Sequence, residues 1–246
     1  METNTLHQEL PDEYKELIVN NIQQGIIDEY KRIKKEGLYT NVSKGSSITD
    51  YINRNLKNSL PEEEFDVYKI KTGYNHEHIQ IYYKIDNTLY LLMNDARFDT
   101  VKESDREEEK RHYMKAYVLK NEPIDKEIKE KGEGQLVLDF QLNEIISEDI
   151  MALRKKLRTL TTNIQGEIGK IVIISYIRMG SKLISCFQNI PDSKLEYVDT
   201  TNWSEFIKPF EDPTDEKTKS KKKPDEDRQD VNDIGLRQQD NEEKDA

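Results

Sequence analysis

The hydrophobic rhythm of this chain changes once, near Pro61, from a spacing of close to four residues to a spacing of two, and that switch predicts helices followed by a sheet. Before it, Tyr14, Ile18, Ile22, Ile26 and Tyr30 recur at every fourth position, Ile33 continues the row, and Leu17 and Ile27 widen it. Glu, Lys, Asn and Gln fill the other positions. The pattern predicts an amphipathic helix from about Asp12 to Lys35 laid on a core, with Pro11 in its first turn and Gly37 at its C-terminal cap. A second helix is expected from about Ser47 to Asn58, capped by Ser47 with Asp50 three residues on. Its buried stripe is Ile48, Tyr51, Ile52 and Leu56, and Pro61 stops it.

Beyond Pro61, Phe65 to Lys71 reads as a strand. Ile79, Ile81, Tyr83 and Ile85 alternate with Gln80, Tyr82 and Lys84, and Leu89, Leu91 and Met93 alternate with Tyr90 and Leu92. The turns between these runs, Gly73 to Asn75 and Asp86-Asn87, are short enough that only antiparallel neighbours can form, so a three-stranded meander is expected. Tyr113 to Lys120 is read as a fourth strand, Pro123 to Gly134 as a polar excursion and Leu136 to Phe140 as a short strand. The charge run between Thr100 and Arg111 is read as a solvated helix turn or loop. A third helix, from about Glu148 to Thr161, carries the stripe Ile150, Leu153, Leu157 and Leu160. Ile171 to Arg178 and Lys182 to Gln188 then form a hairpin around Met179-Gly180-Ser181, and Leu195 to Phe210, with Trp203 and Phe206, packs back on the body. The fold class is α+β: a mainly antiparallel sheet, meander plus C-terminal hairpin, packed by the N-terminal helix pair and the third helix.

Composition divides the chain. Nearly all the apolar residues lie between Leu6 and Phe210, so residues 1–210 are expected to form a single domain. Residues 211–246 hold 13 acids and 8 bases and no aromatic residue, and are expected to be a disordered charged tail, because they cannot bury enough apolar surface to offset chain entropy. Net charge is -11, which argues against broad non-specific nucleic-acid binding. No apolar run is long enough to span a membrane, and the N-terminus has no secretory pattern. The single cysteine, Cys186, cannot form an internal disulfide and is read as a small core residue. A cytoplasmic location follows as the expectation.

Several weaker constellations bear on chemistry. Gly45-Ser46 precedes the second helix, and Glu64-Phe65-Asp66-Val67 opens the first strand. Acids two apart on a strand share a face, and two carboxylates on one face can hold a divalent cation for phosphoryl transfer. The order resembles the nucleotidyltransferases, in which a Gly-Ser precedes a helix and an acid-x-acid strand follows; the resemblance covers Gly45 to Val67. It implies a catalytic role for Glu64 and Asp66 with a divalent cation, and a triphosphate held near Ser46. The bland alternative is a helix cap followed by a polar strand start. His76 and His78 have the spacing of metal ligands on a strand, with His112, Asp95 or Asp99 as a third ligand if the fold brings one close; otherwise they belong to a polar turn, and no metal is expected. The acid-x-Lys signature of metal-dependent nucleases fails in the meander and occurs only as Asp192-Ser193-Lys194, at a strand end.

Arg154, Lys155, Lys156 and Arg158 form a basic cluster on the third helix, which Arg178 and Lys182 would extend toward nucleic-acid phosphates or an acidic partner; the alternative is a solvated helix face. Tyr82 and Tyr90 alternate away from the main apolar series, so the sheet can present a Tyr-rich outer face to a partner or bury it under a helix. The sequence therefore favours a non-catalytic cytoplasmic interaction protein that engages a macromolecular partner, a protein first and nucleic acid second. Its diction suggests, without deriving, a bacterial accessory or mobile-element protein. The alternatives are a metal-dependent phosphoryl-transfer enzyme, nucleotidyltransferase-like or nuclease, and a nucleic-acid-binding module built on Arg154, Lys155, Arg158 and Arg178.

Overall fold

The structure is a computed structural model that describes residues 9–37, 44–72, 76–103, 112–125 and 148–209. Helix α1 spans Asp12–Glu36 and α2 spans Lys44–Ser59. Strands β1 (Phe65–Lys71), β2 (Glu77–Tyr83) and β3 (Thr88–Asn94) follow. Next come α3 (Asp95–Glu103), α4 (Tyr113–Val118) and α5 (Glu148–Leu160). Strands β4 (Lys170–Met179), β5 (Lys182–Pro191) and β6 (Tyr197–Asn202) close the order. The fold is α+β, with one six-stranded, mostly antiparallel sheet in the order β1-β2-β3-β4-β5-β6.

Two antiparallel groups, β1-β2-β3 and β4-β5-β6, meet at a parallel pair in which Thr88 lies opposite Lys170 and Asn94 opposite Tyr176. Tight turns produce the antiparallel neighbours. The parallel pair requires a crossover, and the stretch containing α3, α4 and α5 supplies it.

Strand alternation sorts the side chains onto two buried faces. Phe65, Ile79, Ile81, Tyr83, Tyr90, Val172 and Ile174 face α1 and α2, meeting Ile18, Ile22, Ile26, Ile48, Ile52 and Leu56. Ile70, Tyr82, Leu89, Leu91, Ile171 and Ile173 face the opposite layer, meeting Phe98, Val101, Met114, Tyr117, Leu157 and Leu160. The helix pair of the first layer crosses closely at Gly25, where an added Cβ would lie 2.6 Å from Ile52 Cγ1 and 2.7 Å from Ile52 N. Gly37 ends α1 at φ 60°, its N–H bonded to Ile33 O at 3.1 Å. The closing segment packs on the first face: Trp203 is fully buried there, its backbone N–H bonded to Cys186 O at 2.9 Å. Cys186 is buried, and burial pushes its thiol up to about 12.

The structure corrects four expectations. Tyr113 to Lys120 is helix α4 running into a 3₁₀ turn, not a strand; Met114, Ala116, Tyr117 and Val118 are all buried, and a short helix buried all round shows no amphipathic period. Helix α2 begins at Lys44, so Ser47 lies inside it rather than at its cap. Strand β2 ends at Tyr83, which leaves Ile85 exposed beyond it. Tyr82 and Tyr90 do not share an outer face: Tyr82 is buried under the second helical layer and Tyr90 under α1 and α2. Leu136 to Phe140, most of the excursion after Pro123, most of the charge run before Arg111, and residues 211–246 lie outside the described residues. No helix among the described residues is long and apolar enough to cross a membrane.

Candidate functional site

Glu64 and Asp66 do not share a face. Glu64 lies in the turn before β1, and its carboxylate accepts a hydrogen bond from the Tyr14 hydroxyl of α1; that bond, with burial, holds the Tyr14 phenol well above its usual range. Asp66 lies within β1, accepts a bond from the Tyr68 hydroxyl at 3.2 Å and pairs with Lys84 at 3.2 Å. Tyr14 packs against the first core and Tyr68 against the second, so the two carboxylates diverge. Alternation that puts acids two apart on one side starts only at Phe65, one residue too late. Ser46 lies in the first turn of α2. Asp192 of the Asp192-Ser193-Lys194 triplet accepts the backbone N–H groups of Lys194 and Glu196, each at 2.8 Å, and so closes a turn.

The basic residues are split between the two layers as well. Helix α5 belongs to the second layer, and its Arg154 pairs with Glu122 at 3.2 Å while Lys155 and Arg158 are exposed. Arg178 lines a hollow with Ile48, Thr49, Asn94 and Tyr176, beside α2 on the other side of the sheet. The four bases therefore do not form one continuous surface.

The histidines do gather. Burial pushes the His78 imidazole down to about 3, reinforced by His76 and His112 nearby. The Tyr113 ring stacks on His78 at 4.4 Å and lies 4.3 Å from the His112 ring and 5.3 Å from that of His76. Gln80 Nε2 donates to the Tyr117 hydroxyl at 2.6 Å and to Leu160 O at 2.8 Å. The Tyr117 hydroxyl also shares a hydrogen bond with His78 Nε2 at 3.0 Å, whose direction follows the imidazole tautomer. His112 Nδ1 accepts the Met114 N–H and caps α4. Among the described residues no three His, Cys, Asp or Glu side chains are placed to hold a metal ion. The cluster fastens α4 to β2.

Two surface features have functional geometry. The first is the tip of the β4–β5 hairpin. Strand β3 pairs with β4 only as far as Tyr176, and β6 pairs with β5 only from Phe187 onward, so residues 177–186 extend past both neighbours as a two-stranded ribbon. Leu183 and Cys186 on this ribbon are buried in the first core, but Ile177, Met179 and Ile184 are 40%, 70% and 47% exposed. A register shift after Ile177 leaves Ile184 as the extra residue of a bulge, and Gly180 turns the tip at φ 62°. Arg178 and Lys182 flank these apolar side chains.

The second is a cleft of about 390 Å³ between α2 and the β1–β2 hairpin. Asp50, Asn53, Arg54 and Lys57 of α2 form one wall, and Val67, Lys69, Glu77 and Ile79 face them. Sequence reasoning assigned Asp50 only to a helix cap. The signal it passed over was the polar row Asp50, Asn53, Arg54 and Lys57 at helical spacing, next to the buried stripe it did find.

No curated protein matches the chain, and no solved structure does. A family model described as a family of unknown function matches residues 7–246, nearly the whole sequence. On the strength of that match, the chain belongs to that family, DUF5986.

Proposed function

We propose that this protein acts by binding a macromolecular partner, and that a protein docks on the tip of the β4–β5 hairpin. The reading rests on the joint exposure of Ile177, Met179 and Ile184 on one ribbon. Single exposed apolar residues are ordinary, but a group of them on a projecting element removes favourable free energy from the isolated chain and returns it on docking. Methionine suits such a surface, because its unbranched thioether adapts to the opposing contour. Arg178 and Lys182 give this tip a local positive charge on a chain of net charge -11, which favours a partner whose docking segment is apolar and acidic.

The test is capture of the partner by tagged full-length protein from native cells, followed by quantification of that same partner with variants. Met179→Glu with Ile184→Glu is expected to abolish capture and to leave the thermal midpoint unchanged, since both side chains already face water. Lys155→Glu with Arg158→Glu on α5 is expected to leave capture intact. The opposite pattern would move the interface to the basic helix and refute the hairpin.

A further inference from the structure

The α2 cleft has a charge layout that calls for a ligand of its own, independent of the hairpin. Asp50, Asn53, Arg54 and Lys57 stand at i, i+3, i+4 and i+7, so they make one row along the helix, about 10 Å from first to last at 1.5 Å per residue. The row is acidic at its start and basic at its end. Across from it, Glu77 and Lys69 pair at 2.9 Å, and Val67 and Ile79 supply apolar surface.

We propose that this cleft binds a zwitterionic, peptide-like ligand, with a cationic side chain at the Asp50–Glu77 end and an anionic group at the Arg54–Lys57 end. Asp50 makes no hydrogen bond and no ion pair among the described residues. Burial raises its carboxyl above the usual range, and Glu77 adds to the effect more than Lys69 relieves it. That end of the cleft sets two carboxylates, Asp50 and Glu77, against the single positive charge of Lys69. At the other end, Arg54 pairs with Asp28 at 3.2 Å and Lys57 with Glu62 at 3.7 Å, both with more than half of the basic side chain exposed. Pairs so open to water are weak and exchange readily for a ligand carboxylate. Asn53, between the two ends, offers an amide donor and acceptor to a peptide backbone. A purely anionic ligand would set its charge against Asp50 and Glu77, and a purely cationic one would leave Arg54 and Lys57 without use. The volume suits a small ligand of a few residues.

The experiment titrates the isotope-labelled full-length chain with acetyl-Lys-Gly-Glu-amide, and in parallel with acetyl-Lys-amide, acetyl-Glu-amide and inorganic phosphate, following amide shifts. The expected result is saturable binding of the tripeptide that moves the amides of α2 and of the facing ends of β1 and β2. It should be about tenfold tighter than either singly charged probe, the size of one good charged contact. Asp50→Asn and Arg54→Gln should each weaken it by about the same factor with the remaining spectrum unchanged. Equal affinity for a singly charged probe, tighter binding of phosphate, insensitivity to Asp50→Asn, or no saturable binding would each overturn the proposal. None of these outcomes bears on the hairpin tip, which the tripeptide does not probe.

Discussion

The two faces of the sheet are built on different principles, although the same strands supply both. Toward α1 and α2, β2 contributes Ile79, Ile81 and Tyr83, and the layer is closed by aliphatic side chains and by the Phe65–Tyr83 stack at 4.8 Å. Toward α3, α4 and α5, the same strand contributes His78, Gln80 and Tyr82, all buried, which must be hydrogen-bonded for burial to be tolerated. Gln80 reaches Tyr117 and Leu160 O; the single Tyr82 hydroxyl proton has Asn87 Oδ1 at 2.6 Å and Glu167 O at 3.1 Å as its two acceptors. Farther along this layer, Asn121 spans Ile171 and Pro191 with three bonds of 2.6–3.0 Å. The first face depends on fitted volume and the second on directional bonds, so they should fail in different ways.

The largest effect is expected on the fitted side. Trp203→Ala removes the largest fully buried side chain of the first core and should cost about 3–5 kcal/mol in urea denaturation. Gly25→Ala should also be harmful, by about 1–3 kcal/mol, because the new methyl meets the backbone as well as the side chain of Ile52. An increase in stability, as helix propensity alone would give, would show that the α1–α2 crossing is looser than described.

On the directional side, Gln80→Ala should cost about 1–3 kcal/mol by leaving the Leu160 carbonyl and the Tyr117 hydroxyl short of a donor. Gln80→Leu combined with Tyr117→Phe should cost less than the sum of the two single changes, since both partners are then apolar. Strict additivity in a double-mutant cycle would mean the bond carries no coupling.

Acid distinguishes the faces by degrees. His78 falls from an ordinary 6.5 to about 3 in the folded chain, so the unfolded state binds the extra proton between those values. Stability is therefore fully present above about pH 6.5 and declines as pH falls through that window, at up to roughly 1.4 kcal/mol per pH unit. His78→Gln should flatten this part of the profile relative to the native chain. An unchanged slope would place the acid sensitivity elsewhere.

Much of the architecture was legible in local periodicity, and what was missed follows from what periodicity omits. The four-residue row from Tyr14 to Tyr30 fixed α1 to within a residue of its end, and alternation placed β1 at Phe65 to Lys71. Alternation also sorted Gln80 and Tyr82 onto the face opposite Ile79 and Ile81. It could not show that this second face is covered, because the covering comes from Tyr117 and Leu160, far along the chain. For the same reason the β3–β4 pair left no local trace, and Tyr113 to Val118 lost the periodic contrast that identifies a helix. At the candidate sites, Glu64 and Asp66 had the right spacing but only Asp66 is in the strand. Asp50 lay in plain view on α2, yet its place beside Glu77 in the cleft depends on where the β1–β2 hairpin packs.

The parallel contact between β3 and β4 is a seam between two units assembled from neighbours in sequence. Each flanking unit can zip up after a short loop closes, whereas the seam must wait for a long excursion of chain to be ordered, and loop entropy makes that wait costly. Amides of the β1–β2 and β4–β5 ladders should accordingly gain protection in pulse-labelled refolding before those that bond β3 to β4. The slowest event in assembling this molecule is then the joining of its halves, and a chain caught short of that event would carry two raw strand edges in search of any complementary one.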